Sequence, residues 1–474
     1  MRTYLIIFFL LSSIHFFGQN KNEDLSEALR MVNAWMEAQR DFDKLQGVSI
    51  AVVKDQDIIY KKALGYSNVE MNTPAKSSTI YSICSISKLF TSIAIMQLWE
   101  QGKLRLDDSV SGLLPIYAVK QAFPESGPIT IRSLLTHSAG LPRESDYPYW
   151  TDFKFPSKQE VNDKFKNQET LYPASTYFQY SNLGMTILGE IVSKVSGVPF
   201  EDYVEKNILM PLRLRNTHSY MPERLWGKEL AVGYSALSRN GERKKLPYFN
   251  ANGITPAAGF SSTAEDLALF AAWQFRLLKN GGYEILKAST LREMQRVQWL
   301  DPDWKNSWGL GFIIFQADGN TYVGHDGSCP GYKTSLQMDI NERMAVVVMT
   351  NTQGVSLDKY TNGIFSILRL GKSKPEKDSL NLDQYAGYYD NYAWRGEVAV
   401  LPWQGKLAVF DLPNNDPGKA MALFKPISKD IFRRIRNDGS LGEELRFERG
   451  ANNSIIIFWR HNNPYDKLKR SISF

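Results

Sequence analysis

Cysteine and histidine are scarce in this chain of 474 residues, which contains two cysteines and five histidines. A disulfide framework of the kind that holds small exported domains together needs more cysteines, so the fold must rest on a hydrophobic core. No two histidines stand in a His-x-His or His-x-x-x-His spacing. A metal site built on histidines is therefore not expected.

Long runs of one charge sign are missing as well. The 56 basic and 50 acidic residues are mixed along the chain and leave a formal net charge of +6. Because no long basic run is present, the sequence offers no surface typical of nucleic-acid binding. Nucleic acid is therefore not an expected partner.

A long apolar run occurs only at the N-terminus, in the stretch MRTYLIIFFLLSSIHFFGQN. Arg2 supplies a basic start, the apolar residues continue to about Phe17, and Gly18 is a small residue at a plausible cleavage point. The run is shorter than the ~20 residues of a spanning helix, which favours a signal peptide at residues 1–18 over a membrane anchor. We therefore expect an exported protein, periplasmic or secreted, with no stable membrane insertion after cleavage.

The order of predicted elements indicates an α/β (α+β) domain over residues 19–370. Residues 25–44 have apolar side chains at helical spacing, and GVSIAVVKDQDIIYKKALGYSN has the pattern of two strands joined by a tight turn. Helices and long loops follow between about 110 and 300, and short strands and a helix follow from Gly309. The early and late strands must share one antiparallel sheet to bury their apolar faces. We expect helices against this sheet and a helical subdomain beside it, with a cleft between them.

A second, smaller unit is predicted at the C-terminus. The stretch GKSKPEKDSLN at 371–381 is charged, contains Pro375 and has no apolar residue before Leu380, which is typical of a linker. Residues 382–474 contain short alternating segments broken by Gly, Asn, Asp and Pro, which predicts a small antiparallel β-barrel or sandwich. We expect the first unit to have its own core and to fold without the second.

The stretch YSICSISKLF places Lys88 three residues after Ser85 at the start of a predicted helix. Residues i and i+3 lie on nearly the same helix face, so the two side chains are neighbours. A serine hydroxyl is a poor nucleophile until a base takes its proton, and a lysine whose pKa is lowered by burial can be that base. Taken alone, however, this spacing more often marks an ordinary helix start than a catalytic pair.

Two further segments offer polar residues suited to the same chemistry. FQYSNLG contributes Tyr180 and Asn182 at a helix entry, and GHDGSCPG contributes His325, Asp326 and Gly327 at the end of a strand. Each segment has a structural alternative: a packed aromatic ring, a helix N-cap or a hydrogen-bonded strand histidine. The three segments together, in this order, indicate a catalytic site.

With these motifs, the chain resembles the serine β-lactamase and penicillin-binding-protein superfamily, in its class C and DD-peptidase-like branch, over about 45–370. The matching stretches are YSICSISKLFTSIAIMQLWEQGKLRLDDSV, ITIRSLLTHSAGLP, YFQYSNLGMTILGEIVSKVSG, PAAGFSSTAEDLALF and GHDGSCPGY. The Ser-x-x-Lys motif belongs to the wider superfamily, whereas five stretches in one order are specific. The C-terminal unit is similar to the lipocalin-like modules appended to such hydrolases.

The resemblance implies a role for each residue of the first two motifs. Ser85 is the acyl-accepting nucleophile, and Lys88 hydrogen-bonds it and shares in proton transfer. Tyr180 acts as general base in acylation and returns the proton to the leaving group. Asn182 positions Lys88 and the substrate amide. The substrate is a small molecule or peptide, and neither a metal nor an organic cofactor is needed.

The third motif differs from the family pattern. His325, Asp326 and Gly327 occupy the place where many relatives have Lys-Thr-Gly, and the resemblance assigns the oxyanion hole to the N–H groups of Ser85 and Ser328. The resemblance implies that the third motif helps to hold a carboxylate of the substrate. An ionised aspartate at position 326 has no proton to donate to that carboxylate and repels it. His325 should be mostly neutral near pH 7 unless a neighbour such as Asp326 raises its pKa.

These features predict a serine acyl hydrolase acting on amide, peptide or ester substrates, and they argue against a dedicated β-lactamase. Two alternatives stay open: a penicillin-binding or DD-carboxypeptidase-type protein with slow deacylation, and a non-catalytic exported scaffold. The sequence does not indicate an oligomeric state.

Three residues near these motifs receive structural interpretations. His137, in LLTHSAGL, is expected to be a histidine hydrogen-bonded to backbone near the cleft. Cys84 precedes the nucleophile and Cys329 follows the third motif. We expect two free thiols, because a bridge across a working cleft would leave no room for substrate and would compete with the oxyanion hole.

Overall fold

A computed structural model describes residues 25–117, 119–304, 307–317, 319–372, 380–394 and 396–472. The predicted signal peptide and most of the predicted linker lie outside the described residues, so both stay predictions. Among the described residues, no helix combines the length and the apolar character needed to cross a bilayer.

Fourteen α-helices, several of them a single turn long, lie in the described part of the chain. They are α1 (Ser26–Phe42), α2 (Ser87–Glu100), α3 (Val110–Leu113), α4 (Ile131–Leu135), α5 (Tyr149–Asp152), α6 (Lys158–Phe165), α7 (Asn182–Ser196), α8 (Phe200–Val204), α9 (Met210–Leu212), α10 (Thr255–Ala258), α11 (Ala264–Asn280), α12 (Ala288–Met294), α13 (Asp358–Leu370) and α14 (Pro417–Ala420).

Eleven strands of the same part of the chain precede the C-terminal unit, and eight belong to it. The first set is β1 (Gly47–Lys54), β2 (Asp57–Asn68), β3 (Thr73–Pro74), β4 (Tyr81–Ser82), β5 (Ser261–Ser262), β6 (Trp299–Leu300), β7 (Ser307–Trp308), β8 (Ile313–Ala317), β9 (Asn320–Cys329), β10 (Tyr332–Asp339) and β11 (Met344–Thr350). The second set is β12 (Gly387–Asn391), β13 (Gly396–Trp403), β14 (Lys406–Asp411), β15 (Ala422–Ser428), β16 (Ile431–Ile435), β17 (Leu441–Arg449), β18 (Ile455–Arg460) and β19 (Asn463–Lys467).

The predicted antiparallel sheet is confirmed, with strand order β3-β2-β1-β11-β10-β9-β8-β7-β6. The early strand β1 pairs with the late strand β11, with Ala51 opposite Val347. Both central strands are apolar nearly throughout, because helices cover both faces of the sheet. Helix α11 packs on one face with Ala51, while α1 and α13 pack on the other with Ile50.

The helical subdomain is built around α2, which is buried along almost its whole length against α7 and α10. Helix α7 ends at Gly197, whose positive φ of 79° makes it a left-handed cap. The N-cap of α11 is Thr263, whose hydroxyl accepts a hydrogen bond from the Asp266 N–H at 3.1 Å. At each of these boundaries the residue type suits the cap, a glycine with positive φ at the end of α7 and a threonine hydroxyl at the start of α11.

The C-terminal unit is a closed, eight-stranded antiparallel barrel in which β12 pairs with β19. The predicted β-barrel is thereby confirmed. Large apolar side chains occupy the barrel interior, where they pack as a core of their own. They include Tyr385, Tyr389, Phe424, Phe432, Leu445, Phe447, Phe458 and Tyr465.

The first unit has a buried cluster of its own that contains no residue of the barrel, as expected, but it also shares a second cluster with the barrel. One buried cluster joins the outer faces of α1 and α13 to one side of the barrel. At its centre Trp35 is fully buried, and its indole N–H donates to the Asn414 carbonyl of the barrel at 3.2 Å. Helices α1 and α13 have apolar side chains both towards the sheet and towards the barrel, so the barrel completes their burial. A pattern of apolar residues does not reveal which second surface will cover it.

Candidate active site

Ser85 lies on a single 3₁₀ turn, Cys84–Ile86, immediately before α2. Cys84 has a positive φ of 50°, in the left-handed region, so the chain turns sharply as it enters the helix. Lys88 follows one helical turn later, and its Nζ lies 3.2 Å from Ser85 Oγ. The two residues that the sequence predicts as neighbours are therefore in contact.

Lys88 is completely buried at the junction of three segments of the subdomain. Its Nζ contacts Asn182 Oδ1 at 2.8 Å and the Ala257 carbonyl oxygen at 2.7 Å. Burial holds the pKa of Lys88 well below its ordinary value, the nearby charge of Glu144 opposes this effect, and Arg143 adds to it. The site therefore favours an amine in its neutral form.

Glu144 fixes the orientation of Asn182 at the start of α7. The Asn182 Nδ2 group donates to Glu144 Oε1 at 2.7 Å, which leaves Oδ1 facing Lys88. The indole of Trp150 donates to the same carboxylate at 2.9 Å, and the Tyr149 hydroxyl donates to its other oxygen. Sequence reasoning did not find Glu144, because LPRESDYPYW has no pattern that distinguishes this carboxylate from an exposed one.

Tyr180 is partly exposed to the cleft, beside Ser85 and Lys88. The Lys88 Nζ lies 4.8 Å from the centre of its ring, and the Arg143 guanidinium carbon lies 4.9 Å from it. Burial raises the pKa of Tyr180, although its hydroxyl interacts with that of Ser85 and Arg143 lies close by. The phenol is therefore protonated over the physiological range.

His325 lies on β9, buried beside Trp308, with ring centres 5.7 Å apart. Its Nδ1 lies 2.6 Å from the carbonyl oxygen of Asp326. Because a carbonyl only accepts, Nδ1 bears the hydrogen and Nε2 bears the lone pair. Burial, with a further effect of Lys88, lowers the pKa of His325 to about 3, so the ring is neutral as the sequence suggests. The Asp326 carboxylate does not raise this pKa.

His137 confirms the predicted structural role. It is buried with its Nδ1 accepting the Ser181 backbone N–H at 3.2 Å, at the N-cap of α7. Its ring centre lies 4.4 Å from that of Tyr180, so the two rings pack against each other. Burial is the main cause that lowers the pKa of His137 well below the ordinary value.

Strand β9 lies directly against the turn that carries the nucleophile. A Cβ added at Gly327 would come within 2.3 Å of the Ile83 carbonyl oxygen and 3.1 Å of Cys84 Cβ. The Thr334 hydroxyl on the neighbouring strand donates to the same carbonyl at 3.1 Å. Glycine is required at this position because the two backbones meet there. This close approach sets the end of β9 against the turn that carries Ser85.

The outer edge of β9 is open alongside the site. Strand β8 pairs with β9 only as far as Gly324, opposite Ile313. Within the described part of the chain, no strand pairs with that edge at residues 325–329. An extended substrate can therefore lie along β9 as an added strand and hydrogen-bond to its backbone.

A buried lysine beside a serine, an asparagine held against the lysine and an open strand facing both are the geometry that the motifs require. The family model described as Beta-lactamase matches residues 32–364. The chain belongs to this Beta-lactamase family. The match covers the whole of the site described above and excludes the barrel.

Other members and solved structures agree with this assignment. The chain is 26% identical over 324 residues to Penicillin-binding protein 4* of Bacillus subtilis (strain 168), covering 64% of this chain and 68% of that one. The octameric penicillin-binding protein homologue from Pyrococcus abyssi is 27% identical, with a TM-score of 0.63 over 92% of this chain and 99% of that chain. A D-stereospecific amidohydrolase from Streptomyces sp. shares the fold, with 23% identity and a TM-score of 0.57 over 68% of this chain and 94% of that chain.

Within this Beta-lactamase domain, the expectation of two free thiols is wrong. Cys84 and Cys329 form a disulfide, with Cα atoms 5.6 Å apart, and no free cysteine is left in the described residues. Both residues are buried beneath the cleft, because β9 lies on the nucleophile turn itself. The bridge therefore occupies no substrate space, contrary to the reasoning that placed the two cysteines on opposite walls.

The third motif divides its side chains between the two faces of the sheet. His325 and Gly327 face the nucleophile, whereas Asp326 and Ser328 face the opposite side, since successive residues of a strand alternate. Asp326 is exposed, and it pairs across the strands with Ser335. Its carboxylate is therefore not beside the Lys88 amine.

Proposed function

We propose that this protein is an exported serine hydrolase that cleaves amide or peptide bonds through an acyl-enzyme on Ser85. The observation that supports this proposal best is the contact between Ser85 Oγ and the fully buried Lys88 amine at 3.2 Å. Ester bonds are chemically easier to cleave by the same route and are included among its substrates.

Lys88 is the base that takes the Ser85 proton. A neutral amine has two N–H groups and one lone pair. Its two hydrogens match the oxygens of Asn182 and Ala257, and its lone pair is then free to face Ser85. In a site where burial lowers the pKa of Lys88, this arrangement prepares Ser85 for attack on a carbonyl carbon.

Tyr180 relays the proton to the leaving group. Because burial raises the pKa of Tyr180, the neutral phenol is a proton donor, and a phenolate base in acylation is disfavoured. The family pattern assigns the role of base to this tyrosine. We assign it to Lys88, because burial disfavours the phenolate form of Tyr180. Tyr180 then receives a proton from Lys88 as it donates its own to the departing amine.

The oxyanion hole is assigned to the N–H groups of Ser85 and Ser328, with the scissile carbonyl between the nucleophile turn and β9. A substrate amide that extends along the open edge of β9 gains backbone hydrogen bonds that a small ester lacks. This edge favours amides and peptides as the natural substrates. The neutral His325 supplies no positive charge for a substrate carboxylate.

A penicillin-binding function with slow deacylation is the second candidate, because a relative of 26% identity is named a penicillin-binding protein. Both candidates share the acylation step and differ in how fast water releases the acyl group. Exposure to a penicillin followed by intact-protein mass spectrometry separates them: a lasting adduct supports the second candidate, and its absence supports the hydrolase.

Paired substrates test the proton path. For p-nitrophenyl butyrate the leaving group departs as a stable anion, whereas the amine of alanine p-nitroanilide needs a proton. We expect Lys88→Met to lower kcat/KM for both by about a hundredfold or more, as is usual for a lost proton transfer. Tyr180→Phe should lower kcat/KM by a similar factor for the anilide only.

Lys194→Met is the matched control, because Lys194 is exposed near the end of α7 and far along the helix from Asn182. Its kcat/KM should equal that of the wild type. Undiminished ester hydrolysis by Lys88→Met would remove the lysine from the mechanism, and equal losses on both substrates in Tyr180→Phe would contradict the relay.

A further inference from the structure

The Cys84–Cys329 disulfide joins the two segments on which the proposed oxyanion hole depends. Cys84 stands immediately before Ser85 on the nucleophile turn, and Cys329 stands immediately after Ser328 as the last residue of β9. The Cα atoms of the bridged pair are 5.6 Å apart, although 245 positions separate the two cysteines in the sequence. Each of the two residues whose N–H groups are assigned to the oxyanion hole is therefore a direct neighbour of a bridged cysteine.

The end of β9 is braced by a neighbouring strand on one side only. Strand β10 lies on that side, where Thr334 is opposite Gly327. On the other side, the described residues supply no partner strand for 325–329, and the proposed substrate needs this edge open. The Thr334 hydroxyl reaches the nucleophile turn by donating to the Ile83 carbonyl at 3.1 Å. A covalent link beneath the cleft fixes the strand to the turn without closing the open edge.

The backbone at Cys84 supports a positioning role for the bridge. Its φ of 50° lies in the left-handed region, which a residue with a side chain rarely adopts. Such a conformation persists only where the surroundings fix it. Here the Ser87 hydroxyl donates to the Cys84 carbonyl at 2.5 Å, and the disulfide holds the Cys84 side chain. The turn that presents Ser85 is therefore held both through its backbone and through the bridge.

The bridge is enclosed by protein. Cys84 has no exposed surface, and Cys329 is only 2% exposed. The Ser82 hydroxyl lies beside both sulfurs, 3.6 Å from Cys84 Sγ and 3.8 Å from Cys329 Sγ. Reduction of a disulfide requires a thiolate to reach one of its sulfurs, and the folded protein leaves no path for this attack. The bridge therefore acts as a permanent link and not as a redox switch.

We propose that the Cys84–Cys329 disulfide is a positioning element that aligns the N–H groups of Ser85 and Ser328 on the oxyanion. The inference rests on the proposed function, because that function assigns the oxyanion hole to these two groups. A tetrahedral oxyanion forms when Ser85 attacks and again when water releases the acyl group, so both steps need the alignment. Loss of the bridge should therefore weaken the stabilisation of the transition state more than the binding of substrate along β9.

The full-length protein with Cys84→Ala and Cys329→Ala combined tests this role. Fluorophosphonate labelling first counts the competent Ser85 sites, because an unfolded fraction lowers their number and leaves the rate of each site unchanged. We expect kcat/KM for p-nitrophenyl butyrate, per labelled site, to fall by about tenfold to a hundredfold, as for a displaced oxyanion donor. A trifluoromethyl ketone that forms a tetrahedral adduct with Ser85 should lose affinity by the same factor, since its oxygen occupies the oxyanion hole.

The bridge can also be opened and closed in the wild type. Denaturation in urea with dithiothreitol breaks the Sγ–Sγ bond, so that both cysteines become thiols and dithiothreitol becomes its cyclic disulfide. The protein refolded under dithiothreitol should have the low kcat/KM of the double variant. Oxidation by glutathione disulfide, which is itself reduced to glutathione, should restore the original value.

Ser82→Ala is the matched control, since it removes a buried hydroxyl beside the bridge and leaves the bridge in place. Its kcat/KM should equal that of the wild type, and a loss as large as that of the double variant would overturn the inference. An unchanged kcat/KM per site without the bridge would also overturn it, as would a fall that the trifluoromethyl ketone does not share or that oxidation does not reverse.

Failure to fold has a separate meaning. If the double variant and the reduced wild type both fail to fold, the bridge serves the fold itself and the positioning role is wrong. Absence of label on Ser85 and of ester hydrolysis in the bridged wild type would instead refute the proposed function, on which the inference rests.

Discussion

Removal of the barrel should unfold or aggregate the catalytic domain. A chain that ends at Lys372 keeps every residue of the active site and loses the whole of the barrel. It also loses the second surface that covers α1 and α13. The barrel side chains in the shared cluster are Tyr388, Ala399, Leu401, Trp403, Ala408, Phe410 and Leu412.

The loss of unfolding free energy follows from the five large side chains among these seven, which are all but the two alanines. Complete burial of one such side chain is worth about 1.5–3 kcal/mol, so the interface corresponds to roughly 8–15 kcal/mol. About half of this, roughly 4–8 kcal/mol, falls on the side of α1 and α13. The net stability of a folded domain is about 5–15 kcal/mol, so the loss is of the same size as the whole.

Urea denaturation followed by tryptophan fluorescence, together with dye binding to exposed apolar surface, measures this on the truncated and full-length proteins. Within the full chain, Trp403→Ala should lose about 3–5 kcal/mol of unfolding free energy. Ile456→Ala on the exposed outer side of the barrel is the control, and should change little. A monomeric truncated chain with the same urea midpoint as the full-length protein would refute the shared core.

Three further predictions concern the site. Denatured, non-reduced protein should contain no reactive thiol, and its mass should be two protons below that of the reduced chain; two reactive thiols would contradict the Cys84–Cys329 bridge. Gly327→Ala should lower kcat/KM by about a hundredfold or more with little change in the content of secondary structure, because its Cβ would meet the Ile83 carbonyl and displace β9. If the variant kept the kcat/KM of the wild type, the strand would be free to shift and the prediction would be wrong. Since burial lowers the pKa of His137, the unfolded chain takes up a proton first and stability falls as the pH drops below about 6.5. His137→Asn is the suitable variant, because asparagine accepts the left-handed backbone there and keeps an acceptor for Ser181. Between pH 7 and pH 5, its free energy of unfolding in urea titrations should fall by about 2 kcal/mol less than that of the wild type. An unchanged pH slope would contradict this.

The local part of the site could be predicted from the sequence. Ser85 and Lys88 are three residues apart on one helical turn, so their contact follows from helix geometry. The cap of α7 at Gly197 and the pairing of early and late strands follow from turn chemistry and from the need to bury apolar faces. The first two features depend on short-range rules, whereas the strand pairing follows from the requirement that both strands bury their apolar faces.

The remaining features depend on how distant segments meet. Glu144 looks like any surface acid in the sequence, and only the packing of its loop beside α7 places it on Asn182. The direction of the Asp326 carboxylate is set by strand alternation relative to the nucleophile turn, which a motif does not specify. The disulfide was misjudged for the same reason, because the sequence does not say that β9 lies on the turn beneath the cleft.

The central claim is that Ser85 is the nucleophile, and chemical labelling tests it most directly. The full-length protein is treated with a fluorophosphonate, digested and mapped by mass spectrometry, with Lys88→Met treated in parallel. The account predicts one adduct per chain on the peptide that contains Ser85, formed about a hundredfold more slowly or not at all in Lys88→Met. A folded protein that takes up no label, or whose label lies on any other residue, would contradict it.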